Sequence, residues 1–103
     1  MLDVRILTIF PQIFDSFLAF GNPARARQAG LLSVQSVDLR DFTEDRHRTT
    51  DDYPYGGGTG MVMKVEPIVR GIRHLSGIMN RPRVILLTPD GTLFNQRKAE
   101  ELC

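Results

Sequence analysis

The 103-residue sequence predicts an α/β fold in which a parallel sheet is covered by helices. Short aliphatic runs alternate with helical patterns along the chain, which is the arrangement of parallel α/β domains. The first run, residues 2–10, is almost continuously apolar, as expected for a strand buried on both faces. Glycine or proline marks most of the boundaries between segments. One domain is expected for a chain of this length.

The first half of the chain predicts a strand, two helices and a second strand. After the strand at residues 2–10, Pro11 opens a helix, because its missing N–H would lack a partner there anyway. Apolar residues recur at spacings of three and four over residues 13–20, and we interpret this stripe as core packing. A short helix then ends at Gly30, and residues 31–37 alternate like a strand near the sheet edge.

The second half predicts a long loop, a helix, a third strand, a turn and a last helix. The loop covers residues 40–63, and the helix after it ends near Gly77. Residues 83–87 are short and apolar, as in a buried strand. Residues 88–91 have turn chemistry, since proline fixes φ and glycine accepts a positive φ. Asn95 is suited to cap the last helix.

The order of the elements places two segments at one edge of the sheet. Ligands of open parallel sheets bind beyond the carboxyl ends of the strands. Loop 40–63 leaves the second strand at that edge, and turn 88–91 leaves the third. The last helix has hardly begun when the sequence ends, and no closing strand follows it. We therefore expect residues 1–103 to be the N-terminal part of a larger domain.

Composition excludes several classes of protein. The net charge of +1 gives no general basic field that would require nucleic acid, although a local basic patch is still allowed. The single cysteine, Cys103, excludes an intrachain disulfide and a zinc site made of cysteines, and it fits a reducing cytosol. Asp3 stands where a signal peptide needs basic residues. The apolar runs are too short to span a membrane. We expect a cytoplasmic protein without a membrane partner.

Loop 40–63 is where function is expected, because long loops inside small domains are usually functional or disordered. It ends in an apolar run, so we interpret it as ordered. Its four glycines leave backbone N–H groups open to a ligand: Gly56, Gly57, Gly58 and Gly60. Their spacing fits neither a Walker A loop nor the dinucleotide fingerprint. A flexible hinge or tight turn remains the alternative.

The polar half of the loop brings charged residues close together: Arg46, His47, Arg48, Asp51 and Asp52. One interpretation is a solvated loop whose charges pair with one another. In the functional interpretation, the arginines hold phosphates, and His47 with an aspartate orients a polar base or handles a proton. The spacing matches no metal signature, so no metal site is predicted.

Two tyrosines, Tyr53 and Tyr55, flank Pro54. An aromatic ring beside arginines can stack on a nucleic-acid base. Tyrosines next to a turn more often anchor the loop by packing, and we prefer this second interpretation. Serine or cysteine nucleophile chemistry lacks support, because no elbow motif is present and Cys103 is the last residue.

Several motifs of this chain occur together in one known family. Those in the loop are Asp41-Phe42-Thr43, Asp45-Arg46-His47-Arg48-Thr49, Asp51-Asp52, and Pro54-Tyr55-Gly56-Gly57-Gly58 with Gly60-Met61. Those outside it are Phe10-Pro11 with Phe14, Gly30-Leu31-Leu32-Ser33, and Leu87-Thr88-Pro89-Asp90-Gly91. Together they resemble the bacterial tRNA (guanine-N(1)-)-methyltransferase family over essentially the whole chain.

The resemblance implies a SPOUT fold, a parallel α/β domain with a trefoil knot, which acts as a homodimer. It implies methylation of the guanosine 3′ of the anticodon in tRNA from S-adenosylmethionine. The family's knot, its remaining cofactor loops, its catalytic aspartate and its tRNA-gripping C-terminal domain would all lie beyond residue 103. Residues 1–103 are thus expected to form a single partial domain that contains no catalytic residue and is inactive alone.

The resemblance also assigns residues to the two ligands. His47 and Asp51 would position the target guanosine. The loop glycines would let its base approach closely: Gly56, Gly57, Gly58 and Gly60. Three arginines are expected to contact phosphates: Arg25, Arg46 and Arg48. The first cofactor loop would use Leu87, Thr88, Pro89 and Gly91.

Four positions depart from the family pattern: Ala24, Thr59, Thr88 and Asp90. The carboxylate of Asp90 is expected to weaken or reshape cofactor binding. Two other functions stay open at this point. One is a non-catalytic RNA-binding or dimerising module that retains the loop, and the other is a generic α/β domain for small phosphate ligands.

Overall fold

The computed structural model describes residues 1–103, and its central element is a pair of parallel strands. Strand β1, Leu2–Thr8, pairs with β2, Leu32–Asp38, over seven consecutive positions. Leu2 lies opposite Leu32 and Thr8 lies opposite Asp38, so both strands end at the same edge of the sheet. The predicted parallel pairing is confirmed.

Two short helices connect these strands. A 3₁₀ turn, Pro11–Phe14, leads into α1, Asp15–Ala19, and α2 then covers Gly21–Gln28. The sequence predicts that the first helix ends at Gly21, and this end is confirmed, since Phe20 is extended and Gly21 has a φ of +64°. Only glycine adopts that conformation without strain, so it changes the direction of the chain between α1 and α2. The two helices pack against each other, and α2 and the 3₁₀ turn pack against β2.

The apolar stripe of residues 13–20 does not pack into a core. Ile13, Phe17 and Phe20 are 65%, 67% and 73% exposed. The prediction of core packing is therefore wrong for these three side chains. Their spacing defines an apolar face, but no element within residues 1–103 covers that face.

Helix α3, Val65–Ile78, supplies most of the interior of this chain. Its buried residues are Pro67, Gly71 and Leu75, which recur every four positions and so form one face. This face packs against β1 and against a second 3₁₀ turn, Leu39–Phe42. The turn contributes Leu39, which is 1% exposed and is the largest fully buried side chain.

Gly71 lets α3 approach β1 closely. A Cβ atom built on it would lie 2.9 Å from Leu7 Cδ2 and 3.4 Å from Phe42 Cδ2. A second glycine of the same helix, Gly77, has no atom within 4 Å of such a Cβ. The two glycines therefore offer a matched pair of sites for substitution.

We expect Gly71→Val to lower the free energy of unfolding by about 1–3 kcal/mol, because overpacking pushes α3 away from Leu7. Gly77→Val should instead change it by less than about 0.5 kcal/mol, since the same side chain meets no neighbour there and valine is slightly more favourable than glycine in a helix. Urea denaturation followed by circular dichroism measures both changes. Equal effects at the two positions would contradict the close helix–strand contact.

The third strand predicted at residues 83–87 is absent. No residue of this segment pairs with another strand, and Leu86 and Leu87 are 80% and 91% exposed. The composition favours a strand, but a strand also requires a hydrogen-bonding partner, and residues 1–103 provide none. The final helix α4, Gln96–Leu102, is confirmed, with Asn95 Oδ1 accepting from the Lys98 N–H at 2.9 Å.

The molecule exposes more surface than a closed domain of its mass. Its accessible surface is 8571 Å², against about 5,800 Å² for a compact 11.6 kDa protein. Only five of 103 residues are buried. The radius of gyration is 15.8 Å, against about 13 Å for a compact domain of 100 residues. No helix is long and apolar enough to cross a membrane.

Candidate functional site

Loop 40–63 begins at the edge of the sheet where β1 and β2 end. Asp38 Oδ1 accepts a hydrogen bond from the Arg40 N–H at 2.9 Å, which turns the chain as β2 finishes. The Arg40 guanidinium donates to the carbonyl of Ile9 at 2.5 Å, just beyond the end of β1. These two bonds fix the start of the loop beyond the carboxyl ends of both strands, where ligands of parallel sheets bind.

Helix α3 holds the next part of the loop. The Arg70 guanidinium donates to the carbonyl of Phe42 at 3.2 Å and pairs with Glu44 at 3.1 Å. The rings of Phe42 and His74 lie 5.6 Å apart at an angle of 49°. Sequence reasoning missed Arg70, because no local pattern indicates which loop a helical arginine will reach.

A tight turn presents Arg46 and His47. The N–H of Arg48 donates to the carbonyl of Asp45 at 3.1 Å, so Arg46 and His47 occupy the two central positions of a β-turn. The two carboxylate oxygens of Asp45 lie 2.9 and 3.0 Å from the backbone nitrogen of Thr49 and close the turn. Both central side chains are exposed and make no hydrogen bond or ion pair within the chain.

The neighbouring arginine is held within the loop. Arg48 has a φ of +52°, an unusual value for a residue with a side chain. Its guanidinium donates to Asp41 at 2.6 Å and to the carbonyl of Arg40 at 3.3 Å. Of the two loop arginines expected to contact phosphate, Arg46 has a free guanidinium, whereas Arg48 is engaged in ordering the loop.

The carboxylate of Asp45 makes this turn sensitive to acid. Hydrogen bonds from Thr49 lower the pKa of Asp45 below its usual range, and the nearby charge of Lys64 adds to this effect. A lowered pKa in the folded state means that the turn is stabilised at neutral pH and loses this stabilisation as the pH falls through the lowered pKa. Asp45 was not assigned a role from the sequence, although aspartate is a known turn-closing residue.

We expect Asp45→Ala to increase hydrogen exchange at the Thr49 N–H by about fivefold, because one hydrogen bond is lost. Asp45→Asn keeps one acceptor and should have a smaller effect. In the wild type, the Thr49 amide shift measured by NMR should titrate with a midpoint below the usual pKa of aspartate. In Asp45→Asn, this titration should disappear, and a titration that persists would contradict the assignment to Asp45.

A short ladder closes the second half of the loop. Strands β3, Asp51–Asp52, and β4, Val62–Met63, pair antiparallel, with Asp51 opposite Met63. The Lys64 N–H donates to the carbonyl of Thr50 at 2.8 Å, and Thr50 is buried. Both aspartate side chains are exposed, and successive residues of a strand point to opposite faces. The structure shows no cluster of three metal-binding side chains.

A glycine turn forms the tip of the segment that this ladder closes. The Gly57 N–H donates to the carbonyl of Pro54 at 3.2 Å, and Gly56 has a φ of +79°, as a type II turn requires at its third position. Gly58 continues with a φ of +135°, which other residues rarely adopt. The glycines are therefore needed for the backbone path, and they leave it open to a ligand.

The tyrosines beside this turn are not packed. Tyr53 is 80% exposed, and Tyr55 is fully exposed. The interpretation that they anchor the loop by packing is therefore wrong. Pro54, between them, is half-buried instead. The backbone reverses at the glycines, so Tyr55 at the second position of the turn points away from the protein.

The remaining predicted site residues lie on other segments. Residues 88–91 form the predicted turn, with the Gly91 N–H donating to the Thr88 carbonyl at 3.2 Å. No hydrogen bond joins this turn to loop 40–63. Arg25 lies on α2, and its guanidinium donates to the side chain of Asn22 on the same helix. The predicted loop residues thus lie on two turns and a short ladder of the same loop, whereas Arg25 and the turn at residues 88–91 lie on other segments.

Comparison with known proteins decides the family. The profile of the family described as tRNA (Guanine-1)-methyltransferase TrmD matches residues 2–103. This chain belongs to the tRNA (guanine-1)-methyltransferase family. The tRNA (guanine-N(1)-)-methyltransferase of Dictyoglomus turgidum is 52% identical over 102 residues, which are 99% of this chain and 41% of that protein. The same-named protein of Geotalea uraniireducens is 54% identical over 97 residues, or 94% of this chain and 39% of that protein.

A solved structure confirms the fold class. The crystal structure of the tRNA (m1G37) methyltransferase from Aquifex aeolicus superposes with a TM-score of 0.88 at 36% identity, over 98% of this chain and 45% of that chain. The predicted α/β fold is therefore that of a tRNA (guanine-1)-methyltransferase, a SPOUT protein. This chain spans about two fifths of the length of the curated relatives that it matches.

Proposed function

We propose that this chain supplies the guanosine-positioning loop and the first cofactor turn of a tRNA (guanine-N1) methyltransferase. The substrate would be the guanosine 3′ of the anticodon. The observation that carries the proposal is the turn at residues 45–48, which presents Arg46 and His47 without partners. Family membership supports methyl transfer as the reaction. The position of the loop beyond the ends of β1 and β2, where ligands of parallel sheets bind, supports it as the substrate site.

The proposed reaction requires residues of this chain and also a residue outside positions 1–103. Guanine N1 carries a proton at neutral pH, so a base has to accept that proton as the methyl group arrives. We assign His47 and Asp51 to orientation of the guanine and Arg46 to a phosphate beside it. We assign the base itself to a residue outside positions 1–103, as the family resemblance implies.

The cofactor in this proposal is S-adenosylmethionine, which supplies an electrophilic methyl group when bound. The segment from Leu87 to Gly91 fits an adenosine group in two respects. The Leu87 side chain is 91% exposed, and the backbone of this residue makes no ladder hydrogen bond, so both can contact a purine. A Cβ on Gly91 would lie 3.4 Å from the Thr88 carbonyl oxygen, an ordinary van der Waals contact, so the turn is compact.

The proposal also includes a homodimer that acts on tRNA in the cytoplasm. The exposed stripe at Ile13, Phe17 and Phe20 and the large accessible surface support burial of this chain against further protein. Within residues 1–103 the cofactor site is incomplete in this proposal. Isothermal titration of S-adenosylmethionine into the isolated chain should therefore give no saturable heat while circular dichroism shows helix.

A chimera tests the proposed function. Residues 1–103 of this chain would replace the matching 102 residues of the Dictyoglomus turgidum relative, which are 52% identical. We expect the chimera to transfer labelled methyl groups to a tRNA transcript with guanosine 3′ of the anticodon. A transcript with adenosine at that position should stay unlabelled, because adenine presents a different hydrogen-bonding edge from the guanine that His47 and Asp51 would orient.

Cofactor binding separates a misfolded chimera from an inactive one. A chimera that binds S-adenosylmethionine and melts cooperatively, yet methylates neither transcript, would overturn the proposal. Equal methylation of both transcripts would contradict the assignment of the guanosine. If the chimera is unfolded, loop 40–63 of this chain would be transferred alone into the intact Dictyoglomus turgidum relative. This smaller exchange tests the same residues.

A further inference from the structure

Tyr53 and Tyr55 are the largest side chains of loop 40–63 that nothing in the proposed chemistry uses. Both are at least 80% exposed. An aromatic ring held this far from the protein gives up the burial that normally stabilises it, so a pair of such rings in one loop indicates a contact surface.

We propose that Tyr55, with Tyr53 beside it, forms a stacking platform for an unpaired base of the RNA. This inference rests on the proposed function, because it names a contact of the same RNA. Base–aromatic stacking is the usual way in which proteins hold single-stranded bases, and it tolerates any base because every base has a flat face.

The geometry of the turn favours this role. Tyr55 follows the half-buried Pro54, and the bond from the Gly57 N–H to the Pro54 carbonyl fixes the turn that presents it. The Tyr55 side chain is fully exposed, so no other part of the chain covers its ring. A planar base can therefore approach the ring without displacing a side chain.

The negative charges beside the tyrosines favour contact with RNA bases rather than with phosphates. Asp51 and Asp52 directly precede Tyr53, and both carboxylates are exposed. Two carboxylates repel the phosphate backbone, so affinity at this end of the loop has to come from neutral base faces. Arg46, on the other turn of the same loop, is free to hold a phosphate.

The intrinsic fluorescence of the two tyrosines can test this proposal. It contains no tryptophan and only two tyrosines, so its tyrosine fluorescence reports on Tyr53 and Tyr55 alone. We expect an anticodon stem-loop RNA to quench this fluorescence in a saturable way. An RNA duplex of equal charge, which has no unpaired bases, should quench it much less. Tyr53→Phe leaves Tyr55 as the only fluorophore and should keep both the quenching and the affinity.

Substitution separates stacking from charge. We expect Tyr55→Leu to weaken stem-loop binding about tenfold, which is within the range for loss of one stacked base, without changing its dependence on salt. Arg46→Gln should instead reduce the slope of log K against log salt by about one, because one phosphate contact is lost. Anisotropy of a dye-labelled RNA measures both. Tyr55→Phe is the conservative control and should bind like the wild type.

Three results would overturn the proposal: RNA binding that leaves tyrosine fluorescence unchanged, unchanged affinity of Tyr55→Leu, or a fluorescence change that follows protein concentration without RNA. The last result would place the rings in a contact between copies of the chain. If the isolated chain does not bind the stem-loop, the same variants in the chimera decide the question. Stacking without methylation would refute the proposed methyl transfer, and methylation without stacking would refute this inference alone.

Discussion

Replacing Leu39 with alanine is expected to unfold a large share of the molecules. Leu39 is 1% exposed and lies where the second 3₁₀ turn packs under α3. Loss of a fully buried leucine costs about 2–5 kcal/mol, because apolar contacts are lost and a cavity remains. Whole small domains are stable by only about 5–15 kcal/mol, and this chain buries few residues. Urea denaturation should show a lower midpoint or no folded baseline.

The matched control is Leu86→Ala. Leu86 is 80% exposed in the unpaired segment, so the same chemical change removes almost no buried surface. We expect its free energy of unfolding to stay within about 0.5 kcal/mol of the wild-type value. If Leu86→Ala were as destabilising as Leu39→Ala, the interior of the chain would lie elsewhere than between β1, the 3₁₀ turn and α3.

The second large effect concerns methyl transfer by the chimera. We expect His47→Gln and Asp51→Asn each to lower kcat/KM for tRNA by about 100-fold, because a misplaced base loses the geometry that the reaction requires. The affinity for S-adenosylmethionine should not change, since neither residue lies on the turn at residues 88–91. Single-turnover assays with labelled cofactor measure the first quantity, and calorimetry measures the second.

Asp52→Asn provides the control for these variants. Asp52 is adjacent to Asp51 and equally exposed, but its side chain points to the opposite face of the β3–β4 ladder. Its carboxylate accepts a hydrogen bond from the Tyr53 N–H at 2.8 Å, and an asparagine oxygen can accept the same bond. Methyl transfer within about twofold of the wild type is expected. A loss as large as that of Asp51→Asn would show a general charge effect rather than positioning by one carboxylate.

The elements that the sequence predicts correctly are those whose signal is local. The parallel strands and α3 follow from apolar periodicity. The turn at residues 88–91 forms with Pro89 at its second position, although Gly91 does not adopt the positive φ expected of it. The cap at Asn95 follows from its side-chain chemistry. Each of these signals lies within a few residues of the structure that it predicts.

The wrong predictions concern relationships between distant segments. The composition of residues 83–87 favours a strand, but pairing depends on another strand at the right distance. The spacing of Phe17 and Phe20 shows that one helical face is apolar, but not which element covers it. The same reason explains why Arg70 and Asp45 were missed, because their roles depend on partners in the folded loop.

The unpaired segment has a consequence for the solubility of this chain. An exposed apolar strand is a template for aggregation, and steric zippers form from six or seven consecutive residues without proline. Pro82 and Pro89 leave six residues between them, and the first of these is the charged Arg83. These flanking residues act as gatekeepers that shorten the aggregation-prone window to Val84–Leu87 with Thr88. The prolines and the charge that flank this apolar segment therefore limit its pairing with exposed strands of other molecules.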